Sequence, residues 1–156
     1  MTTISVLLVE DNPADADLTR EALEANKQSV DLSVVLDGVE AMDYLHRRAD
    51  HPDAAMPDLV LLDLNLPRKD GRAVLEEIKS TEALRQIPVV VLSSSEDFHD
   101  IQQSYDLGAN SYVAKPVDFA GFQTTMKSLN SFWFSTARLP SRTRGRSWPG
   151  HQSDGA

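Results

Sequence analysis

Short apolar segments alternate with amphipathic segments along most of this chain, and no other feature constrains the fold as strongly. The apolar segments carry few charges and are flanked by acids, glycines or prolines, a pattern typical of strands buried on both faces of a sheet. They are found at residues 4–9, 32–36, 59–62, 88–92 and 111–114. The clearest of them, 59–62, follows a polar loop at 49–57 and ends directly before Asp63.

The segments between the predicted strands have helical spacing and helix-end signals. Asn12 followed by Pro13 predicts a helix start, and Gly108 predicts a helix stop. Helices are predicted at 13–26, from 38, at 71–80, at 96–107 and from 119. Five strands that alternate with five helices predict an α/β fold, doubly wound, with a five-stranded parallel sheet covered on both faces as a three-layer (βα)5 sandwich.

The last helix is predicted to begin after Asp118 and to be strongly apolar on one face. Its apolar residues recur at helical spacing, and they are Phe119, Phe122, Met126, Leu129 and Trp133. This spacing predicts that Trp133 packs on the sheet. Phe132 and Phe134 are predicted to point elsewhere, leaving at least one of them exposed.

Composition excludes several classes of protein. Hydrophobic residues make up 41% of the 156 residues and charged residues 25%, as expected of a globular protein with a core. Cysteine is absent, which excludes disulfides and thiolate metal sites. The chain lacks the features of a signal peptide or membrane span, and we expect a cytoplasmic protein that does not bind membranes.

Charge is distributed unevenly between a body and a tail. The formal net charge is −9, and the segment from Arg138 holds four arginines against one acid, so residues 1–137 carry a formal −12. Residues 1–137 are so acidic that they repel the phosphates of nucleic acids, so duplex DNA is an unsuitable partner. We expect a domain at 1–137 and a basic, disordered tail at 138–156, where Ser, Arg, Gly and Pro predominate.

Polar residues follow four of the predicted strands. Glu10 and Asp11 follow the first strand, Asp63 the third, Ser93 the fourth and Lys115 the fifth. In an open parallel sheet, the carboxyl ends of the strands meet at one edge. Three carboxylates, a hydroxyl and an ammonium are therefore predicted to converge in one crevice.

Such a cluster requires a cation. Two like charges about 4 Å apart repel by roughly 4 kcal/mol at an effective dielectric near 20. Carboxylates without histidine or cysteine select Mg²⁺, or else Mn²⁺, over zinc or copper. A carboxylate in this position can accept a phosphoryl group covalently, while the cation, Lys115 and the Ser93 hydroxyl neutralise the phosphoryl oxygens.

Four motifs in this order resemble the receiver domain of bacterial response regulators. They are VED at 9–11, LLDLNLPRKDG at 61–71, VVVLSSS at 89–95 and GANSYVAKP at 108–116, and the resemblance covers about 4–134. It implies a flavodoxin-like fold with strand order 2-1-3-4-5. It also implies a signalling phosphoacceptor in a two-component phosphorelay, with Mg-dependent autophosphorylation and autodephosphorylation, rather than a metabolic enzyme.

The resemblance assigns a role to each motif residue. Asp63 is implied to be the phosphoacceptor, which takes its phosphoryl group from a histidine kinase. The implied metal site comprises Asp11 as a direct ligand, Glu10 through a bound water, Asp63, and the backbone carbonyl of Asn65. Asn65 and Ser95 are implied to tune the rate at which the phosphate is lost.

The resemblance also implies how the switch operates. Ser93 is the implied switch hydroxyl and Tyr112 the aromatic that changes rotamer with it. Lys115 is implied to pair with the phosphoryl group, and its peptide bond to Pro116 is expected to be cis. The face formed by the fifth strand and the last two helices would then change its affinity for partners.

Two further features resemble the single-domain regulators that partner bacterial phytochromes. One is the long loop before the third strand, and the other is the SFWF-then-LP ending at 131–140. This resemblance implies a phytochrome-type kinase as partner. The aromatic residues of the ending also suggest a homodimer through the last helix and neighbouring elements.

Three other functions agree less well with the sequence than that of a receiver. A phosphohydrolase of the haloacid-dehalogenase type needs a second Asp where Asn65 stands. A phosphate-independent pseudo-receiver usually lacks an acid or the lysine, whereas this chain has them all. A nucleotide or flavin binder would need a glycine-rich loop after the first strand. The histidines show no ligand spacing and are predicted to lie at the surface, at positions 46, 51, 99 and 151.

Overall fold

The computed structural model describes residues 3–25 and 29–140. Five parallel strands form one sheet in the order β2-β1-β3-β4-β5, which confirms the predicted topology. The strands are β1 (Ile4–Val9), β2 (Val30–Val35), β3 (Leu59–Leu62), β4 (Val89–Ser93) and β5 (Ser111–Ala114). Register places Val9 beside Leu62 and Ser93 beside Ala114, so four strands end at the same edge of the sheet.

Five helices connect and cover the strands, and a short π-helix follows the last one. The helices are α1 (Pro13–Glu24), α2 (Gly38–Leu45), α3 (Gly71–Ser80), α4 (Phe98–Asp106) and α5 (Phe119–Asn130), and the π-helix spans Ser131–Thr136. Each α-helix begins after an Asn or Asp side chain that accepts a backbone N–H of the first turn. Gly108, at φ +107°, reverses the chain after α4, in the left-handed region that glycine tolerates.

Some predicted bounds differ from the observed ones by one or two residues. Strand β2 begins two residues earlier than predicted and ends one residue earlier, at Val35. Strand β4 is shifted by one residue, so Ser93 is its last residue rather than the first residue after it. Helix α4 begins at Phe98 because Asp97 caps it.

Alternate residues of the strands face two separate cores, which confirms the three-layer arrangement. One core lies between the sheet and helices α2 and α3, and it includes Leu7, Val9, Met42, Leu75 and Ile78. The other lies between the sheet and helices α1 and α5, and it includes Val6, Leu8, Leu23, Phe122 and Met126. Helix α4 buries only Ser104 fully, and Phe98 and Tyr105 are exposed.

The π-helix changes which aromatic residue of the ending is buried. Phe134 is 6% exposed and belongs to the core, whereas Trp133 is partly buried at its edge and Phe132 is 52% exposed. The prediction that Phe134 points away from the core was therefore wrong, whereas Trp133 packs against the core as predicted and Phe132 is exposed. An i→i+5 turn widens the helix, so the residue that follows Leu129 as a buried member of the core is Phe134, with Trp133 at the edge of the core.

The end of the described chain still contacts the body. Leu139 is buried in the core beside α5, and the boundary at residue 137 stays a prediction. Residues 141–156, where most of the predicted tail falls, lie outside the described residues. Within the described part, no helix has the length and hydropathy needed to cross a membrane.

Candidate functional site

Three carboxylates predicted to converge do so at the carboxyl ends of β1 and β3. Oxygen atoms of Glu10, Asp11 and Asp63 lie within 4.8 Å of one another. Glu10 is 1% exposed and Asp63 9%, whereas Asp11 is open to solvent. Because Val9 pairs with Leu62, the residues that follow these two strands leave the sheet side by side.

Backbone hydrogen bonds hold two of these carboxylates in place. The Asn12 N–H donates to Glu10 Oε2 at 3.2 Å, and the Asn65 N–H donates to Asp63 Oδ1 at 3.2 Å. The Asp63 N–H donates to the Val9 carbonyl at 3.1 Å. Asn65 thus lies beside the cluster, as predicted.

Lys115 supplies the positive charge of the crevice. Its Nζ lies 2.6 Å from Glu10 Oε1, 3.0 Å from Asp15 Oδ2 and 3.3 Å from Asp63 Oδ2. Its backbone N–H donates to the Ser93 carbonyl at 2.8 Å, which fixes its position next to β4. Three carboxylates therefore contact this ammonium, and an oxygen of a fourth, that of Asp11, lies within 4.8 Å of oxygens of Glu10 and Asp63.

Asp15 was not predicted as part of this site. It lies in the first turn of α1, the helix that directly follows β1. Such a helix starts at the carboxyl edge of the sheet, so an acid in its first turn can reach the crevice. The position of Asp15 in the first turn of α1 can be read from the sequence. It does not by itself indicate a role in the crevice, because the helix dipole alone favours acids in a first helical turn.

The expected cis bond before Pro116 is absent. The peptide bond between Lys115 and Pro116 is trans. Lys115 reaches the crevice without it, because the backbone N–H is anchored to Ser93 and the extended side chain spans the distance to Glu10 and Asp63. The prediction of its isomer was wrong, and the prediction of its place in the crevice agrees with the structure.

Burial and charge shift two pKa values here in the same direction. Burial raises the pKa of Glu10 to about 7, against the lowering effect of its hydrogen bond to Lys115 and together with repulsion from Asp63. Burial lowers the pKa of Lys115, but its contacts with Glu10, Asp63 and Asp15 outweigh burial and raise the pKa overall. Lys115 is therefore a permanent cation, whereas Glu10 can take up a proton near neutral pH.

The donor set suits a hard divalent cation. Each of Glu10, Asp11 and Asp63 offers a carboxylate oxygen, and oxygen ligands of this kind select Mg²⁺ or Mn²⁺. Lys115 alone leaves an excess of negative charge on the cluster. The exposed Asp11 leaves one side of the cluster open to solvent, as a cation that keeps several waters requires.

Ser93 and Tyr112 are connected through the segment that follows β4. Ser93 is fully buried, and its Oγ accepts the Ser95 N–H at 3.2 Å. The Tyr112 hydroxyl donates to the Ser95 carbonyl at 2.8 Å. Ser95 therefore bonds to both predicted switch residues.

The described histidines lie away from the three-carboxylate cluster. His46 Nε2 lies 3.1 Å from Glu77 and His51 Nε2 3.2 Å from Glu40, and both histidines are half-buried rather than fully exposed. His99 is exposed, as predicted. His151 lies outside the described residues.

Comparison with known proteins identifies the family. A family model described as the response regulator receiver domain matches residues 6–127. Response regulator Rcp1 of Synechocystis sp. is 41% identical over 135 residues, covering 86% of this chain and 92% of that protein. The probable methanogenesis regulatory protein FilR2 of Methanothrix harundinacea is 40% identical, covering 86% of each chain.

Solved structures show the same relationship. The phosphorylated cyanobacterial phytochrome response regulator RcpA is 48% identical, with a TM-score of 0.87 over 90% of this chain and all of its own. The Mn²⁺-bound form of Rcp1 is 40% identical, with a TM-score of 0.85 over 88% of this chain and 99% of its own. These neighbours confirm the flavodoxin-like fold, and the Mn²⁺-bound neighbour agrees with the predicted preference for Mg²⁺ or Mn²⁺ at an acidic site.

Proposed function

Since this chain belongs to the response regulator receiver family, we propose that it is a single-domain response regulator of a two-component phosphorelay. A histidine kinase would transfer a phosphoryl group to Asp63. The observation that carries the proposal is the position of the Asp63 carboxylate, buried among two further carboxylates and 3.3 Å from Lys115 Nζ. A buried acid with only a structural role is not expected to lie among other carboxylates, because like charges at this distance repel.

Different residues of the crevice have different roles in phosphoryl transfer. An Asp63 carboxylate oxygen attacks the phosphorus of a phosphohistidine, the P–N bond breaks, and the imidazole leaves. Lys115 Nζ, which is already beside Asp63 Oδ2, neutralises a phosphoryl oxygen. A bound Mg²⁺ or Mn²⁺, held by Glu10, Asp11, Asp63 and the Asn65 carbonyl, would supply charge neutralisation at the remaining oxygens.

The same residues would serve small phosphodonors. Transfer depends mainly on positioning and charge neutralisation, so acetyl phosphate can replace the kinase. The acyl phosphate on Asp63 would later be lost to water. The protein is thus a signalling phosphoacceptor that assists its own phosphorylation and dephosphorylation, and it has no metabolic substrate.

The output would be a change of shape at the face formed by α4, β5 and α5. Ser93 would move toward the phosphoryl group, and Tyr112 would change rotamer with it. The bonds of Ser95 to both residues support this coupling. Large apolar side chains are exposed on these elements and on the loop between β5 and α5, namely Phe98, Tyr105, Val117 and Phe119.

One partner that could bind this exposed face is a second copy of the chain. Phe119 of α5 and Phe132 of the π-helix are each 52% exposed, and exposed apolar groups of this size are typical of contact surfaces. We infer a homodimer through the last helix and the elements beside it. Its stability would depend on phosphorylation if the switch reaches this face.

The partner kinase we propose is of the phytochrome type, in the cytoplasm. RcpA is described as a cyanobacterial phytochrome response regulator, and a further neighbour, at 42% identity and a TM-score of 0.69, as a bacteriophytochrome response regulator. The acidic body disfavours DNA as a target, so the output is binding to protein.

The test is labelling with acetyl phosphate and Mg²⁺, followed by intact mass and sedimentation velocity. The wild-type protein should gain one phosphoryl group, and Asp63→Asn should gain none while it keeps its fold. A larger sedimentation coefficient in the labelled sample would support the dimer. Labelling of Asp63→Asn to the wild-type extent would refute Asp63 as the acceptor, and an unlabelled wild-type protein would favour a pseudo-receiver.

A further inference from the structure

The ammonium of Lys115 contacts three carboxylates that come from different parts of the fold. Its Nζ lies 2.6 Å from Glu10, which follows β1, 3.0 Å from Asp15 of α1, and 3.3 Å from Asp63, which follows β3. Three acceptors match the three N–H donors of a lysine ammonium. The Lys115 side chain is 9% exposed, so solvent does little to hold it, and the three carboxylates set its position.

Asp15 differs from the other two carboxylates because it takes no direct part in the proposed reaction. Glu10 and Asp63 are proposed ligands of the cation, and Asp63 is also the proposed acceptor. The cluster of carboxylate oxygens suited to a cation comprises Glu10, Asp11 and Asp63 and does not include Asp15. The contact between Asp15 and Lys115 can therefore persist when the cation is bound and when Asp63 carries the phosphoryl group.

The local structure at the start of α1 leaves the Asp15 carboxylate available for Lys115. Asp15 is the third residue of α1, a position at which an acid commonly accepts the backbone N–H of the N-cap residue. Here the N-cap residue is Asn12, and its N–H donates to Glu10 Oε2 at 3.2 Å instead. The Asn12 side chain in turn accepts the Asp15 N–H at 3.1 Å. Asn12 thus fixes Glu10 and Asp15, the two carboxylates that lie nearest to the ammonium.

We propose that Asp15 is a positioning residue that holds the Lys115 ammonium beside Asp63 during phosphoryl transfer. This inference rests on the proposed function, because it concerns the lysine that would neutralise a phosphoryl oxygen. A lysine side chain is flexible, and Lys115 contributes to transfer only while Nζ stays within reach of that oxygen. Glu10 is shared with the cation and Asp63 with the phosphoryl group, so Asp15 is the anchor that neither of them requires.

Two variants of Asp15 separate its role as an anchor from its charge. Asp15→Ala and Asp15→Asn make the same change in net charge, but only Asn keeps an oxygen that can accept a hydrogen of Nζ. With acetyl phosphate, an Asp63 oxygen attacks the phosphorus, the bond from phosphorus to the bridging oxygen breaks, and acetate leaves. We expect Asp15→Ala to label about 3- to 10-fold more slowly than Asp15→Asn. Hydrolysis, in which water attacks the same phosphorus and frees the Asp63 carboxylate, should slow by a similar factor, because the same lysine neutralises the same oxygen.

The experiment compares the full chain with both Asp15 variants and a matched control. The control is Asp17→Ala, because Asp17 is an exposed acid of the same helix and its loss changes the net charge equally. Labelling by acetyl phosphate with Mg²⁺, and loss of the label after the donor is removed, are followed by intact mass. In parallel, NMR relaxation of the Lys115 Cε methylene group is measured without phosphodonor or metal, which reports how firmly the lysine is held.

The positioning role predicts that Asp15→Ala labels and loses its label more slowly than Asp15→Asn, and that its Lys115 Cε group is more mobile. Asp17→Ala should match the wild type in all three measurements. If the wild type labels but the two Asp15 variants label at equal rates, or hold Lys115 Cε equally firmly, the inference is overturned and the proposed function stands. A wild type that does not label would overturn the proposed function, and the positioning role with it.

Discussion

Replacement of Lys115 by Met removes the ammonium of the crevice and keeps most of the apolar stem. In the folded protein, Nζ contacts carboxylates of Glu10, Asp15 and Asp63. The pKa of Lys115 is raised overall despite burial, so its charged form stabilises the native state. Its loss leaves buried carboxylates without a counter-charge, and we expect the variant to be less stable.

The magnitude follows from burial. Breaking a buried ion pair by removing one partner costs about 3–5 kcal/mol. The share of Asp15 is discounted because that residue is partly open to solvent. We therefore expect a loss of about 3 kcal/mol at pH 8, which lowers the urea midpoint by about 1.5 M at an m-value near 2 kcal/mol/M.

The loss should depend on pH with a definite sign. The pKa of Glu10 is about 7 when folded, above its ordinary 4.5, so a proton on Glu10 favours the native state below pH 7 and this contribution fades as pH rises toward 7. Without Lys115 the pKa of Glu10 rises further. Protonation then relieves the repulsion, and the loss should be about 1 kcal/mol smaller at pH 6 than at pH 8.

Urea unfolding of the wild type, Lys115→Met and the control Lys127→Met measures this directly. Lys127 is exposed on α5, so its replacement changes the net charge equally without touching the crevice. A Lys115→Met variant as stable as the control at pH 8, or a loss that grows at pH 6, would refute the electrostatic argument.

Three further predictions concern the aromatic core residue Phe134, metal binding at the crevice, and the close backbone contact at Gly71. Phe134→Ala should lower the free energy of unfolding, measured with urea, by about 3–5 kcal/mol. Phe132→Ala should lower it by less than about 1 kcal/mol, because of these two residues only Phe134 is buried. Similar losses for the two variants would contradict the π-helix register. The affinity for Mg²⁺ should fall as pH drops below 7, because the ion displaces the proton of Glu10. Calorimetry in buffers of different ionisation enthalpy should find that binding releases about one proton at pH 6 and nearly none at pH 8.5. Equal proton release at the two pH values would refute this role of Glu10. Gly71→Ala should lower the free energy of unfolding by at least about 2 kcal/mol in the same assay. The added Cβ would lie 2.3 Å from the Asp63 carbonyl oxygen and 2.6 Å from the Leu64 Cα. An unchanged urea midpoint would show that the backbone at Gly71 is not packed as closely as these distances indicate.

The sheet and most of the site could be predicted from the sequence because both follow from local rules. Buried parallel strands have apolar runs, and the residues that follow them meet at one edge. These rules place Glu10, Asp11, Asp63 and Lys115 together without any knowledge of tertiary contacts. Motif resemblance then assigned roles that stay predictions for Ser93 and Tyr112.

Features that depend on tertiary packing could not be predicted. The π-helix brings Phe134 into the core beside Trp133, and the helical spacing in the sequence does not indicate an i→i+5 turn. The bond before Pro116 is trans in the structure, and the sequence alone does not fix its isomer because an X–Pro bond can adopt either form. The contact of Arg72 with Asp100 joins the first turns of two helices that are far apart in sequence.

The central claim is that Asp63 carries the phosphoryl group, and hydride trapping tests it most directly. The protein labelled with acetyl phosphate and Mg²⁺ is treated with borohydride, which reduces an acyl phosphate to an alcohol, and is then digested for peptide mass spectrometry. Our account predicts homoserine at position 63 and unmodified aspartate at position 11. Homoserine at another acid, with residue 63 intact, would contradict it.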